Sequence, residues 1–163
     1  EIVAAPVSFG EVGMGYVGAA ALTSVILAAV IYLTALCFVD LPIAHPLWAA
    51  AFLVLTAFGF SLMGFLMGIW AKDWQQLQFV PLMVITPLVF LGGAFYSASM
   101  LPPFWEAVAH LNPVLYLVSG FRWAFFGQAD VPVAASLAAL AVFLGLGLAA
   151  AWAIFRTGWR LRA

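Results

Sequence analysis

The sequence predicts an all-α membrane protein of about four transmembrane helices, with an outer re-entrant helical hairpin before the last span. Three observations predict it. The first is composition: 67% of residues are hydrophobic, 7% are charged and the mean hydropathy is +1.19. A water-soluble domain carries about 25% charged residues and could not cover its surface with so few. The second is the presence of four uncharged apolar windows, each near the roughly 20 residues that cross a bilayer at 1.5 Å per residue. The third is the stretch from Leu91 to Gly127, too polar and interrupted to cross once and too aromatic to be a water-exposed loop.

The first window runs roughly from Tyr16 to Val39 and ends at the turn signals of Asp40 to Pro46. The second runs from Leu47 to Trp70 and stops at Lys72 and Asp73. A polar link, Ala71 to Gln78, leads to the third, from about Phe79 to Tyr96. Pro81 and Pro87 predict a kink there, because a mid-helix proline leaves a carbonyl unpaired. The fourth runs from about Val133 to Phe155. Lys and Arg set the orientation, since they gather on the cytoplasmic side. Lys72, Arg156, Arg160 and Arg162 fall on one side and Arg122 on the other. Both ends of the chain are therefore expected in the cytoplasm and the Leu91–Gly127 stretch outside. Trp48, Trp70, Trp74, Tyr96, Trp152 and Trp159 lie near span ends, where amphipathic rings favour the headgroup zone.

Within the broken stretch, Pro102 and Pro103 suit the first turn of a helix, where a missing N–H goes unused. A short helix from Phe104 to Leu111 follows, with Glu106 and His110 on one face and Phe104, Trp105, Val108 and Leu111 lining most of the rest. Asn112 and Pro113 read as N-cap and first position of a second helix, which Gly127 stops. Helices of about 9 and 14 residues span roughly 13 and 21 Å, too short for a bilayer of about 30 Å. Together they can dip in and return, provided protein or a water-filled cavity covers the turn. The alternative is an amphipathic hairpin lying on the outer leaflet.

Several chemistries find no support. The net charge of −1 gives no basic field for nucleic acid. Cys37, the single cysteine, sits in an apolar run and reads as a packed small residue. His45 and His110 have no second ligand at metal spacing. Ser61, in Gly59-Phe-Ser-Leu-Met-Gly64, is one residue out of nucleophile-elbow spacing. Gly64 and Gly68 form a GxxxG, either a helix-packing face or a coincidence of composition. No G-x-x-x-x-G-K-[ST] loop occurs, so nucleotide hydrolysis is not expected here. No charged residue lies inside the four windows, whereas ion-coupled carriers usually bury one, so the energy for transport would come from another subunit. The chain starts with Glu1, and we expect it to be a piece of a longer one that lacks its beginning.

The run F-L-G-G-A-F-Y-S-A-S-M-L-P-P-F-W, then a helix, then L-N-P-V-L-Y-L-V-S-G-F-R-W, resembles the permease subunit of type-2 ABC exporters (ABC-2 permeases). The matching positions are Gly92, Gly93, Phe95, Tyr96, Leu101, Pro102, Asn112, Pro113, Tyr116 and Arg122. The resemblance covers essentially the whole chain and implies a re-entrant outer hairpin over residues 97–131. It implies a cytoplasmic coupling segment over residues 1–15, in which Glu1, Pro6, Val7, Ser8 and Glu11 would contact the ATPase. An ordinary juxtamembrane connector is the other reading of that segment. Members of the family have six spans, so two would be missing here, making residues 1–163 a fragment of the transmembrane domain. The implied function is ATP-driven export of an amphipathic substrate (polysaccharide, lipo-oligosaccharide or drug) across the inner membrane. The implied partners are an ABC ATP-binding subunit that holds ATP and Mg, a second permease copy and membrane lipid. This chain would hold no cofactor and would not be an enzyme. Rival readings are an intramembrane enzyme, which needs a polar constellation at membrane depth, or a non-transporting membrane scaffold. Under the transport reading, the hairpin would be an external gate hinged at Asn112–Pro113. Phe104, Trp105, Tyr116, Phe121 and Trp123 would seal it, while Glu106 and Arg122 meet water, headgroups or each other.

Overall fold

The computed structural model describes residues 9–97 and 100–157. Among them there are only helices and connections, and four helical segments are long and apolar enough to cross a membrane. Helix α1 is Phe9–Leu36 and α2 is Pro46–Trp70. The third span runs from Trp74 to Leu91 as α3 (Trp74–Val80), a π-helical turn (Pro81–Ile85) and α4 (Thr86–Leu91). Two short helices follow, α5 (Pro103–His110) and α6 (Pro113–Phe126), and then the long α7 (Val133–Thr157).

Three boundaries differ from expectation by five residues or more. The third span begins at Trp74 rather than Phe79 and ends at Leu91 rather than Tyr96. Asp73 occupies its N-cap, and the Gln76 side chain reaches back to accept the Lys72 N–H at 3.0 Å. This first-turn bond draws the polar residues expected in the link into the start of the helix. Its other end is set by Gly92, whose N–H bonds the Leu88 carbonyl at 2.7 Å, and by Gly93 at φ 77°, which turns the chain away. The first helix likewise begins at Phe9, so Glu11 lies in its first turn. Glu1, Pro6, Val7 and Ser8 lie outside the described residues.

Pro81 and Pro87 do not break the third span. The Thr86 N–H and hydroxyl both reach the Pro81 carbonyl, the hydroxyl at 3.1 Å, so the backbone widens by one residue into a π turn. Such local widening re-satisfies groups that prolines would orphan in a membrane.

The packed part is small. Helix α2 is the centre, with α1, α6 and α7 laid against it. Down the α2–α7 contact, Phe52 meets Leu140, Gly59 meets Phe143 and Leu62 meets Gly147, so the two helices run parallel. Small residues let them approach: a Cβ on Gly147 would sit 2.9 Å from Leu62 Cδ2. The third span buries none of its side chains and meets the rest mainly where α4 touches α6.

Candidate functional site

The expected hairpin helices form within a residue of their anticipated ends, and each terminus is explained by its own residues. Pro102 is the N-cap of α5 and Pro103 its first residue. The Asn112 side chain accepts the Val114 N–H at 2.9 Å as N-cap of α6, with Pro113 next. Gly127, at φ 71°, ends α6 with its N–H on the Trp123 carbonyl at 2.8 Å. The corner between the helices is closed by the Tyr116 hydroxyl, which donates to the His110 carbonyl at 2.8 Å.

Helix α6 is the hub of its end of the bundle. Gly120 abuts Phe52 of α2 so closely that a Cβ would lie 2.5 Å from the ring. At the C-terminal end of α6, the Phe125 and Ala124 carbonyls accept the Ala44 and His45 N–H groups just before α2. The His45 ring stacks on Trp123 at 4.3 Å. Contacts therefore descend the first turns of α2 while they climb back along α6. At its N-terminal end, buried Asn112 donates its Nδ2–H to the Leu88 carbonyl at 2.5 Å, fastening α6 to the third span. Ser119, fully buried, accepts the Asp130 and Val131 N–H groups at 3.0 and 3.1 Å and holds the link to α7.

Arg122 completes the hub. Its guanidinium pairs with Asp130 and donates to the carbonyls of Gly93 at 2.8 Å and Tyr96 at 3.4 Å. The other Asp130 oxygen accepts from the Ser97 hydroxyl. Arg122 thus does not meet Glu106. Glu106 is half-buried in the first turn of α5, where a carboxylate suits the helix dipole. Helix α5 is held more lightly: Ala109 packs on Leu115 and Val131, while Phe104 and Trp105 are exposed and edge-to-face with each other.

Sequence reasoning singled out Asn112, Pro113, Tyr116 and Arg122, which lie on α6 or at its cap, and Pro102, Pro103, Phe104, Trp105 and Glu106, which lie on α5 or at its cap. It missed Asp130, Ser97 and Ser119. A signal for Asp130 was available: Gly127 turns the chain back on α6, which brings the only nearby acid to an arginine that needs a counter-ion. Beside the network lies a cavity of about 440 Å³ with Phe95, Tyr96, Arg122, Gln128 and Asp130 in its wall. The expected GxxxG behaves differently: added Cβ atoms on Gly64 and Gly68 would meet nothing, and both line an open groove of about 590 Å³ between α1 and α2.

Residues 1–126 match the protein family described as ABC-2 type transporter. The chain belongs to that family. Over all 163 residues it is 39% identical to the inner membrane transport permease YadH of Escherichia coli (strain K12), and the match covers 64% of that protein. It is also similar to Nodulation protein J of Sinorhizobium fredii, 28% identical over 97 residues, 60% of this chain and 37% of that one. No solved structure matches. The chain therefore spans about 64% of the length of YadH, and within that length this ABC-2 protein is a multi-pass, all-α membrane protein.

Proposed function

We propose that this chain is part of the permease subunit of an ATP-driven ABC exporter in the inner membrane. The observation that carries the proposal is a membership joined to an absence. The chain is of the ABC-2 family, and among the described residues of its spans charge occurs only within the end turns, at Glu11 and Arg156. A carrier driven by protons or Na⁺ usually needs an ionisable group at depth, so the driving force belongs to a separate ATP-binding subunit. That subunit would hold ATP and Mg and press on residues 1–15, with Glu1, Pro6, Val7, Ser8 and Glu11 in contact. A second permease copy would complete the pathway, and lipid would cover the remaining apolar faces. The substrate class is amphipathic: a polysaccharide, a lipo-oligosaccharide or a drug. The name of YadH, an inner membrane transport permease, supports the location.

In this reading both chain ends are cytoplasmic and the α5–α6 hairpin is external and re-entrant. The descent of α6 along the first turns of α2 supports the re-entrant placement. The hairpin works as a gate in which α6 is the frame and α5 the moving part. Asn112 is buried and bonded on both sides of its amide, so bending starts beyond it, in α5.

The test is reconstitution. Permease alone should not export, and adding its ATP-binding partner should start export. Glu11→Ala combined with Pro6→Ala should weaken that partnership or uncouple hydrolysis from transport. Export at full rate without any ATPase would end the proposal.

A further inference from the structure

The cavity beside Arg122 and Asp130 has features that a structural ion pair alone does not need. A guanidinium carries five N–H donors, and three of those on Arg122 are engaged, by Asp130, Gly93 and Tyr96. A carboxylate offers about four acceptor positions, and Asp130 uses two, for Arg122 and Ser97. Spare donors of a cation and spare acceptors of an anion thus lie side by side on one wall of a cavity of about 440 Å³. Such a wall repels neither charge and selects neither alone. Its complement is a small dipolar ion with an anionic group beside an N–H cation.

The position adds a second constraint. The cavity is built from the turn after the third span, which ends at Leu91, and from the link before α7, which begins at Val133. Arg122 lies about one turn before the C-terminal end of α6, which bonds the residues just before α2, so the cavity is level with the start of that span, where a crossing helix meets the edge of the hydrocarbon layer. Phe95 lines the cavity and stacks on Phe90 at 5.3 Å. Both rings are exposed and extend the apolar surface of the third span up to the cavity mouth. A ligand seated there has its polar part among Arg122, Asp130 and Gln128 and an apolar part along the two phenylalanines.

We infer that this cavity is a headgroup site for phosphatidylethanolamine of the surrounding bilayer. The phosphate lies toward the free N–H groups of Arg122, the primary ammonium toward Asp130, and the acyl chains run down past Phe95 and Phe90. Charge-assisted hydrogen bonds on both groups make the recognition specific. Phosphatidylcholine carries the same charges, but its quaternary ammonium has no N–H to give Asp130, and phosphatidylglycerol has no cation. The lipid is the source of this chemistry rather than a soluble phosphoethanolamine, because the mouth opens onto apolar surface.

The experiment uses the purified permease in nanodiscs of defined composition, with bound lipids counted by native mass spectrometry and lipid exchange followed by competition. The expected result is retention of one phosphatidylethanolamine per chain, preferred about tenfold or more over phosphatidylcholine and phosphatidylglycerol. Ala129→Trp, which fills the cavity while leaving both charged side chains in place, should abolish that preference with little change in thermal stability in detergent. Asp130→Asn should reduce the preference over phosphatidylcholine, and if that variant does not fold, Ala129→Trp decides. Equal binding of the three lipids, a preference that survives Ala129→Trp, or equally tight binding of soluble glycerophosphoethanolamine would each overturn the site.

Discussion

Arg122 on α6 and Asp130 in the link to α7 are joined across the Gly127 turn by an ion pair. Their side chains are 25% and 12% exposed, so the pair is neither a surface bridge nor a sealed core charge. It gathers three segments: the turn after the third span, helix α6 and the entry to α7. Charge removal should therefore be asymmetric in its effects.

Arg122→Gln or Asp130→Asn alone should each cost about 2 kcal/mol, because each leaves a half-buried charge without its counter-ion. The double variant should cost clearly less than the sum of the two. Unfolding of the detergent-solubilised protein by heat or denaturant measures this. Single variants as stable as the wild type would show that the pair holds nothing.

Gly120 is required by contact rather than by backbone angle. A methyl there would overlap the Phe52 ring, and both residues sit where α6 crosses α2. Gly120→Ala should cost about 1–3 kcal/mol by overpacking. Phe52→Leu in the same chain should recover part of that loss. If Gly120→Ala melts with the wild type, α6 is free to shift away and is not the fixed frame described here.

Asn112 does two jobs that ordinary N-cap substitutions would separate. Its oxygen caps α6, a role that Asp fills equally well in most helices. Its Nδ2–H group binds the Leu88 carbonyl, a role that Asp cannot fill and that a carboxylate opposes. Asn112→Ala should cost about 1 kcal/mol for the cap and more for the stranded carbonyl. Asn112→Asp should be no better than Asn112→Ala, which reverses the usual ranking. An Asp variant of wild-type stability would remove the tether between α6 and the third span.

The proposed orientation is tested by labelling in a Cys37→Ser background. Gln128→Cys, exposed at the α6 end, should react with an impermeant maleimide added outside, and Lys72→Cys only after the membrane is opened. The opposite pattern would invert the topology and move the hairpin to the cytoplasm.

The span count and both hairpin helices were legible in the sequence because they depend on local signals. Proline at a first turn, Asn before it and Gly after the last turn act within a few residues. The register of the third span was less legible. Asp73 and Gln76 look like a polar link until the Gln76 bond to the Lys72 N–H is seen, and a hydropathy window places polar first-turn residues outside the helix. Beyond Asp130, the Arg122 network was not legible, since Gly93, Tyr96 and Ser97 lie in a turn far away in sequence and reach α6 where Asn112 fastens it to Leu88 and Gly92 packs on Val114. The π turn was half legible. Its two prolines announced an irregularity, but Thr86 decided that the helix would widen instead of break.

The last prediction concerns which half of the hairpin moves. Helix α6 is tied at its N-terminal end to Leu88, at its C-terminal end to Ala44 and His45, and along its length to Asp130 and Val131. Displacing it would break all of these bonds together. Helix α5 rests on the small buried contact of Ala109 with Leu115 and Val131, and the Tyr116 hydroxyl touches only its last turn. A lateral swing of α5 breaks few backbone hydrogen bonds and carries the exposed Phe104 and Trp105 with it, as an aromatic flap should. A disulfide from Ala109→Cys to Val131→Cys, made in the Cys37→Ser background, would fasten α5 to the entry of α7 with no covalent bond to α6. Oxidation should block export reversibly, reductant should restore it, and ATPase assembly should be unchanged throughout. If the crosslinked permease exports at the normal rate, α5 is a fixed lid and the moving element of the gate lies elsewhere in the bundle.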